Sequence, residues 1–324
     1  MSHRFSRKSL SRLAQWFFFL ATLSIGWRFL LFCRFAVGDG PAVARPAGVE
    51  GFLPISALLG LRHALATHTW DPVHPAGLVI FLAALVMGLA FRKAFCGHVC
   101  PVGFVATRLG RLGQRLGLAR SLPGPAEACL RLPKYLLLAF FLYTTFFGMG
   151  TAEVESFLRS SYNLTADARM LLFFLHPGPV AVVVLVTLAG LGLVFRGSFC
   201  RWLCPYGALL GLLAKIGPTT LSRDAAGCTG CGRCRKVCPV DLPPTAGPRP
   251  LECSGCGSCV VACPRPESAV RFAFAGKAAP WWITAAGACG VFGLAYAVAI
   301  ALGGWNADLP AAMLARLYAM VLGG

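Results

Sequence analysis

Five stretches of mostly apolar residues, near 13–35, 76–95, 132–150, 179–197 and 281–303, constrain this chain more than any other feature. The hydrocarbon core of a bilayer calls for about 20 such residues in a helix, because no water is there to satisfy an open backbone. Composition agrees with that reading: 57% of the 324 residues are hydrophobic, 13% are charged and the mean hydropathy is +0.69. A soluble domain carries roughly 25% charged residues. The first stretch follows Arg4, Arg7, Lys8 and Arg12. It is too long for the apolar part of a signal peptide and runs on through "WRFLLFC", so it is read as a retained span.

Charge gives the spans a direction. There are 30 Lys and Arg against 12 Asp and Glu, a formal charge of +18. The cations bracket the apolar runs instead of forming one patch, which argues for membrane topology and against nucleic-acid binding. The N-terminus, the segment with Arg108, Arg111, Arg115, Arg120, Arg131 and Lys134, and the stretch 196–280 are basic. The alternate loops, 38–75 and 151–178, hold Arg45, Arg62, Arg159 and Arg169 but also Asp39, Glu50, Asp71, Glu153, Glu155 and Asp167. The positive-inside rule then predicts a cytoplasmic N-terminus and cytoplasmic 196–280, with the C-terminal "PAAMLARLYAMVLGG" outside, in the interface.

An internal repeat runs through the middle. "HPAGLVIFLAALVMGLAFRKAFCGHVCPVG" (74–103) aligns with "HPGPVAVVVLVTLAGLGLVFRGSFCRWLCPYG" (176–207). Each unit reads His-Pro, an apolar run, Phe-Arg, a short spacer, Phe-Cys-x-x-x-Cys-Pro and x-Gly. The pattern predicts a duplicated helix, in parallel orientation, that ends at the cytoplasmic face in a pair of thiols. The pairs are Cys96 with Cys100 and Cys200 with Cys204. Three readings of these four thiols stay open: one shared metal or cluster site, redox disulfides, or small buried residues at helix ends.

Between the fourth and fifth stretches lie "CTGCGRCRKVCP" and "CSGCGSCVVACP". This is C-x2-C-x2-C-x3-C-P twice, the run of two-cluster bacterial ferredoxins, in which the fourth cysteine of each run serves the other cluster. The spacing predicts two [4Fe–4S] clusters. One is assigned to Cys228, Cys231, Cys234 and Cys263, the other to Cys253, Cys256, Cys259 and Cys238. A structural zinc site uses two cysteine pairs and fits the doubled run poorly.

With these motifs in hand, the chain resembles the polyferredoxin membrane proteins of the NapH/NosR type. The resemblance rests on Cys96–Pro101, Cys200–Pro205 and the two ferredoxin runs, over roughly residues 70–265. It implies the electron-transfer component of a quinol dehydrogenase in a bacterial inner membrane. The membrane quinone pool and a redox protein, a cytochrome or a periplasmic reductase system, would be its partners. The chain departs from that pattern in having no Cys-x-x-Cys-His for a covalent haem and in a fifth span after the ferredoxin segment. A related branch, the membrane ferredoxins of cytochrome oxidase assembly, implies an alternative: an assembly factor that reduces a metal such as copper for a terminal oxidase or reductase.

The expected fold is therefore an all-α transmembrane bundle of about five spans with a duplicated helix unit and an inserted small α+β two-cluster ferredoxin-like domain. Its divisions are membrane helices with the first thiol pair (1–197), the second pair and a linker (198–220), the ferredoxin-type domain (221–272), and the fifth helix with a short outer tail (273–324). Other residues draw weaker expectations. His63, His68, His74 and His176 stand where outer-face proton transfer would need them, although His74 and His176 also simply precede prolines at helix starts. His98 and Trp202 occupy matching places inside the thiol pairs and share no ligand chemistry. Arg28 can snorkel outward. Cys33, Cys129 and Cys289 read as packing residues. Arg233, Arg235 and Lys236 offer a basic edge to an acidic partner or to anionic headgroups.

Overall fold

The computed structural model describes residues 2–242, 250–265, 269–307 and 309–322, with side chains from residue 11 onward apart from 311 and 312. The protein is mostly helical. Three helices are long and apolar enough to cross a membrane: Ser11–Ala36, Gly124–Gly148 and Ile283–Ala301. They coincide with the first, third and fifth apolar stretches. The other two differ from expectation. The second stretch forms Pro75–Phe91, only 17 residues, or about 25 Å against a hydrocarbon core of about 30 Å. It stops where Arg92 turns into the left-handed region at φ 62. The fourth is a broken pair, Ala166–Leu175 and Pro179–Val194, bent by 78°. Pro177 and Pro179 flank Gly178 there, and proline cannot continue a preceding helix. The described residues thus hold three membrane-spanning helices, or four if the bent pair is one span.

The sheet is small, open and antiparallel. Strands β1 (Thr219–Arg223), β2 (Val270–Phe274) and β3 (Lys277–Ala279) lie in the order β1-β2-β3, with Leu221 opposite Phe272 and Phe272 opposite Ala279. Alternation puts Leu221, Val270 and Phe272 on one face, where they bury against Leu242, Val260 and Ala269. Cys253 and Cys263 lie in the same core. The sheet therefore closes the chain around the two cysteine runs and extends past the expected 221–272 on both sides.

The chain divides into two compact units. One is built from 1–20, 84–138 and 186–291 and contains all four membrane-end thiols, both cysteine runs and the sheet. The other comprises 21–83, 139–185 and 292–324. In it, Phe29, Phe32 and Tyr318 pack edge to face, with Cys33 and Leu314 in the same cluster. The helix Ala311–Leu322, expected to lie in the membrane interface, is thereby docked into this unit's core. Beside it sits a buried ionic network. Arg45 donates to Glu50 (2.7 Å) and to Asp167 (2.7 Å), Tyr318 Oη donates to Asp167 (2.5 Å), and His74 lies 3.6 Å from Glu50 while its Nε2 meets the Asn163 carbonyl (2.8 Å). His74 is buried, whereas its repeat counterpart His176 is exposed, so the duplication does not extend to the histidines.

Candidate iron–sulfur and thiol sites

The two membrane-end thiol pairs share one local geometry. Phe95–Val99 and Phe199–Leu203 are each a single π-helical turn, closed by Cys100 N–H to the Phe95 carbonyl (2.8 Å) and Cys204 N–H to the Phe199 carbonyl (3.0 Å). Such wide turns are rare and recur at functional sites. Each second cysteine is then the N-cap of a new helix, Pro101–Arg115 or Pro205–Ile216, with proline at the first position. The Gly207 N–H donates to the Cys204 sulfur (3.3 Å), and Gly103 N–H interacts likewise with Cys100. Glycine is needed at 103 because a Cβ there would collide with the Cys96 carbonyl. At Gly207 the matching carbonyl, that of Cys200, would stand 3.3 Å from a Cβ, a tighter fit than most side chains make.

The structure brings the four thiols together. Cys96 senses Cys100, Cys200 and Cys204 electrostatically, and Cys200 senses Cys100 and Cys204. Burial pushes Cys100 up to about 11 and Cys200 up to about 12, and lifts Cys96 well above the ordinary thiol range. Thiols in such a place stay protonated until something compensates the thiolate charge. Two buried lysines stand close by. Lys93 lies 3.4 Å from Glu252 and within electrostatic reach of Cys96, Cys200 and Cys204, and Lys134, fully buried, contacts the same carboxylate. Burial alone would raise Glu252, but Lys93 and Lys134 outweigh it and hold the carboxyl below its ordinary value.

Both cysteine runs fold alike. Gly230 and Gly232 (φ 67 and 66) match Gly255 and Gly257 (φ 66 and 68), all left-handed, and each run continues into one short helix, Arg233–Lys236 or Ser258–Ala262. Cys228, Cys231, Cys234 and Cys263 line one cavity together with Arg233 and Arg265. Cys238 senses Cys253 and Cys256, and Cys259 senses all three. Burial drives Cys238 up to about 12 and Cys259 well above the ordinary range, whereas the Arg233 N–H lowers exposed Cys231. The surroundings therefore differ: in the first set Cys228 and Cys231 are exposed although Cys263 is buried, whereas in the second Cys253 is buried and Cys238, Cys256 and Cys259 are half-buried.

Among the described residues no three His, Cys, Asp or Glu side chains converge closely enough to share a single ion. The donor set nevertheless suits iron–sulfur cubes, whose corners hold four thiolates much farther apart than a lone ion does. The paired left-handed glycines and the cavity lined by four cysteines fit that group.

Arginines from the repeat grip the cysteine runs, a role the sequence reading had not given them. Arg92, fully buried, donates to the carbonyls of Pro250 (2.5 Å) and Thr219 (3.4 Å). Its counterpart Arg196 donates to the carbonyls of Arg235 (2.8 Å), Lys236 (3.2 Å) and Cys238 (3.0 Å) and pairs with Asp241. Burial would raise Asp241, but Arg235, Ser121 and Arg196 hold it below its ordinary value. The duplicated Phe-Arg was the visible signal. Gln15 donates to the Gly97 carbonyl (2.6 Å), and Gly97 abuts the Ser254 carbonyl, so the first thiol turn packs directly on the second run. His98 and Trp202 indeed differ: His98 faces Ser11, while Trp202 and Arg201 bond Glu127. Cys129 and Cys289 are exposed and do not pack a core as expected, unlike buried Cys33. Arg28 is exposed, and Arg235 is tied to Asp241, which leaves Arg233 and Lys236 as the exposed cations of that basic edge.

Comparison with known proteins gives this site its kinship. A family model described as a 4Fe-4S binding domain matches twice, at 73–118 and 177–223, which are the two repeat units, and a second model of the same description matches 222–242. The chain is 40% identical over 202 residues to YccM of Escherichia coli (strain K12), covering 62% of this chain and 56% of that protein. It is 32% identical over 199 residues to the methylamine utilization ferredoxin-type protein MauN of Methylorubrum extorquens (59% and 62%), and 28% over 184 residues to the ferredoxin-type protein NapH of Escherichia coli (56% and 59%). The chain thus spans less than two thirds of the length of each of these relatives. No solved structure matches. These likenesses, with the spans and thiol sites above, relate the chain to the bacterial membrane-associated polyferredoxin proteins that carry 4Fe–4S binding domains.

Proposed function

We propose that the protein is an inner-membrane iron–sulfur relay that passes electrons between quinol/quinone or a membrane partner and a respiratory reductase system. The observation that carries this reading is the pairing of thiols across the two runs: Cys228, Cys231 and Cys234 with Cys263 around one cavity, and Cys253, Cys256 and Cys259 with Cys238 in one electrostatic group. Each set would hold one [4Fe–4S] cluster, whose one-electron chemistry at potentials set by its surroundings supplies the redox step. The provisional electron-transport name of YccM and the ferredoxin-type names of MauN and NapH support the same class.

The remaining residues do the positioning. Arg92 and Arg196 fix the runs to the helix ends, and Gln15 and Gly97 bring the first thiol turn onto the second run. The second set has no exposed member and lies toward the membrane-end thiols; in the first set Cys228 and Cys231 are exposed and flanked by Arg233 and Lys236, where an acidic redox protein would dock. In this reading there are five spans, Pro75–Phe91 and the bent pair included, with the N-terminus and both runs cytoplasmic. The test is protein purified in detergent and mixed with a reduced quinol analogue. Bleaching of the cluster absorbance and an EPR signal support the relay. Clusters that ignore quinol and membrane donors but reduce Cu(II) would move the protein to metal reduction.

A further inference from the structure

Helix Pro101–Arg115 leaves the first thiol pair with three unlike sides. Its glycines make the packed side: a Cβ at Gly113 would collide with the Leu193 carbonyl, one at Gly110 would stand 3.1 Å from the Arg196 side chain, and Gln114 donates to the Lys236 carbonyl (2.8 Å). A second side presents Val102, Val105, Leu112 and the C-cap Leu116 at helical spacing, 44% to 59% exposed. Arg108, Arg111 and Arg115 form the ridge between the two. This ridge meets the start of the span Ser11–Ala36: the Arg108 guanidinium lies 4.8 Å from the Trp16 ring centre and 4.7 Å from that of Phe104. Arg12, one turn before Trp16, adds a fourth cation to the same field. No acid answers them. Neither 1–38 nor 72–126 contains Asp or Glu, and among the described residues no carboxylate pairs with any of the four arginines. Burial and mutual repulsion hold Arg108 and Arg111 below the ordinary guanidinium value, and the Nε and Nη2 atoms of Arg108 are buried with no hydrogen-bond partner.

We infer that this ridge binds an anionic phospholipid of the leaflet beside the N-terminus, with the phosphate on Arg108 and Arg111 and the acyl chains along Val105, Leu112 and Leu116. A helix with arginines beside an exposed apolar stripe lies in the plane of the interface. Trp16, at the start of a span, marks the headgroup level. Guanidinium forks match phosphate oxygens, and a phosphate at this depth would take the N–H groups that Arg108 leaves open. A free phosphate or an acidic peptide would answer the arginines but leave the apolar stripe in water. The headgroup must be net negative. Phosphatidylethanolamine would bring an ammonium into a field of four cations, whereas phosphatidylglycerol brings only hydroxyls. The site stands whether or not the clusters exchange electrons with quinol.

The test uses the full-length protein in a non-ionic detergent, titrated with dioleoylphosphatidylglycerol or dioleoylphosphatidylethanolamine while native mass spectrometry counts the lipid retained. Wild type should retain phosphatidylglycerol in preference to phosphatidylethanolamine. Arg108→Gln/Arg111→Gln should weaken phosphatidylglycerol about thirtyfold, the effect of two cations at a lipid surface. Arg271→Gln/Lys277→Gln removes the same charge from exposed positions on the sheet and should leave lipid binding unchanged. Equal losses in the two double variants would make the attraction one of net charge and overturn the site. Where Arg108→Gln/Arg111→Gln does not fold, the wild type alone decides. Phosphatidylethanolamine held as tightly as phosphatidylglycerol overturns the proposal. So does displacement of phosphatidylglycerol by an equal concentration of inorganic phosphate or of a polyglutamate peptide.

Discussion

Replacing Arg196 by Met isolates the clamp on the first cysteine run. The guanidinium donates to three carbonyls at 2.8, 3.0 and 3.2 Å and pairs with buried Asp241. Removing one partner of a buried pair costs about 3–5 kcal/mol. Asp241 retains Arg235 (3.0 Å) and Ser121 (2.5 Å), which places the loss near the lower end, at about 3 kcal/mol. That is roughly a hundredfold rise in local opening. Hydrogen exchange in detergent should show it as lost protection across 233–242, while the sheet strands change less. The three carbonyls converge on Nη1 while Nη2 meets Asp241, so a single ammonium can serve the carbonyls or the carboxylate but not both, and Arg196→Lys should recover only part of the loss. In the Arg196→Met background, Asp241→Asn should cost less than in wild type by about 1 kcal/mol or more. A change below about 0.5 kcal/mol for Arg196→Met, or strict additivity with Asp241→Asn, would refute the clamp.

Three further outcomes follow from the geometry. Burial alone would lower His74, but the Glu50 carboxylate 3.6 Å away and the hydrogen bond to the Asn163 carbonyl raise it above its ordinary 6.5. Its charged pair therefore stabilises fully below about pH 6.5 and weakens as pH climbs through the raised folded value. Thermal stability in detergent should fall with rising pH in that range, and Glu50→Gln should flatten the slope; stability that rises instead is incompatible with the pair. Gly255→Ala and Gly230→Ala both force alanine into a left-handed site, at about 1–2 kcal/mol. Only the Cβ at 255 also meets neighbours, the Phe91 carbonyl and the Thr284 methyl at 3.3 Å. Gly255→Ala should therefore lower the denaturant midpoint more, and equal shifts would count against the close packing there. Finally, Cys263→Ser should disturb the EPR signal of the cluster assigned to the exposed first run and spare the other, because Cys263 lines that cavity. Loss of the second signal alone would overturn the crosswise assignment.

The sequence carried the elements whose chemistry repeats. Cysteine spacing and the left-handed glycines are local patterns, and each is found folded alike in both copies, whereas the twice-written Phe-Arg turns left-handed at Arg92 itself in the first copy and at Gly197 in the second. What it concealed depends on partners far apart in the chain. Glu252 is one acid among twelve until Lys93 and Lys134 close on it from 159 and 118 residues away. Arg45 and Asp167 were counted as loop charges, although 122 residues of separation vanish in a buried pair. Helix length was hidden for another reason: hydropathy measures apolar length, and Pro75–Phe91 and Pro179–Val194 are apolar but bounded by a left-handed arginine and a proline-flanked glycine. The three strands are 5, 5 and 3 residues long, too brief for alternation to show.

The arginine grip has a mechanical consequence. Mobile carrier domains deliver electrons by swinging on a tether, and their rates follow solvent viscosity and linker length. Here Arg92 holds the entry to the second run and Arg196 the exit of the first, each from the end of a membrane-side helix. Neither run is free to travel. In a relay built this way, the internal hops occur across fixed gaps. The diffusive events left to such a relay would be the arrivals of its outside partners, and exposed Cys228 and Cys231 are where solvent viscosity and salt would act on the rate.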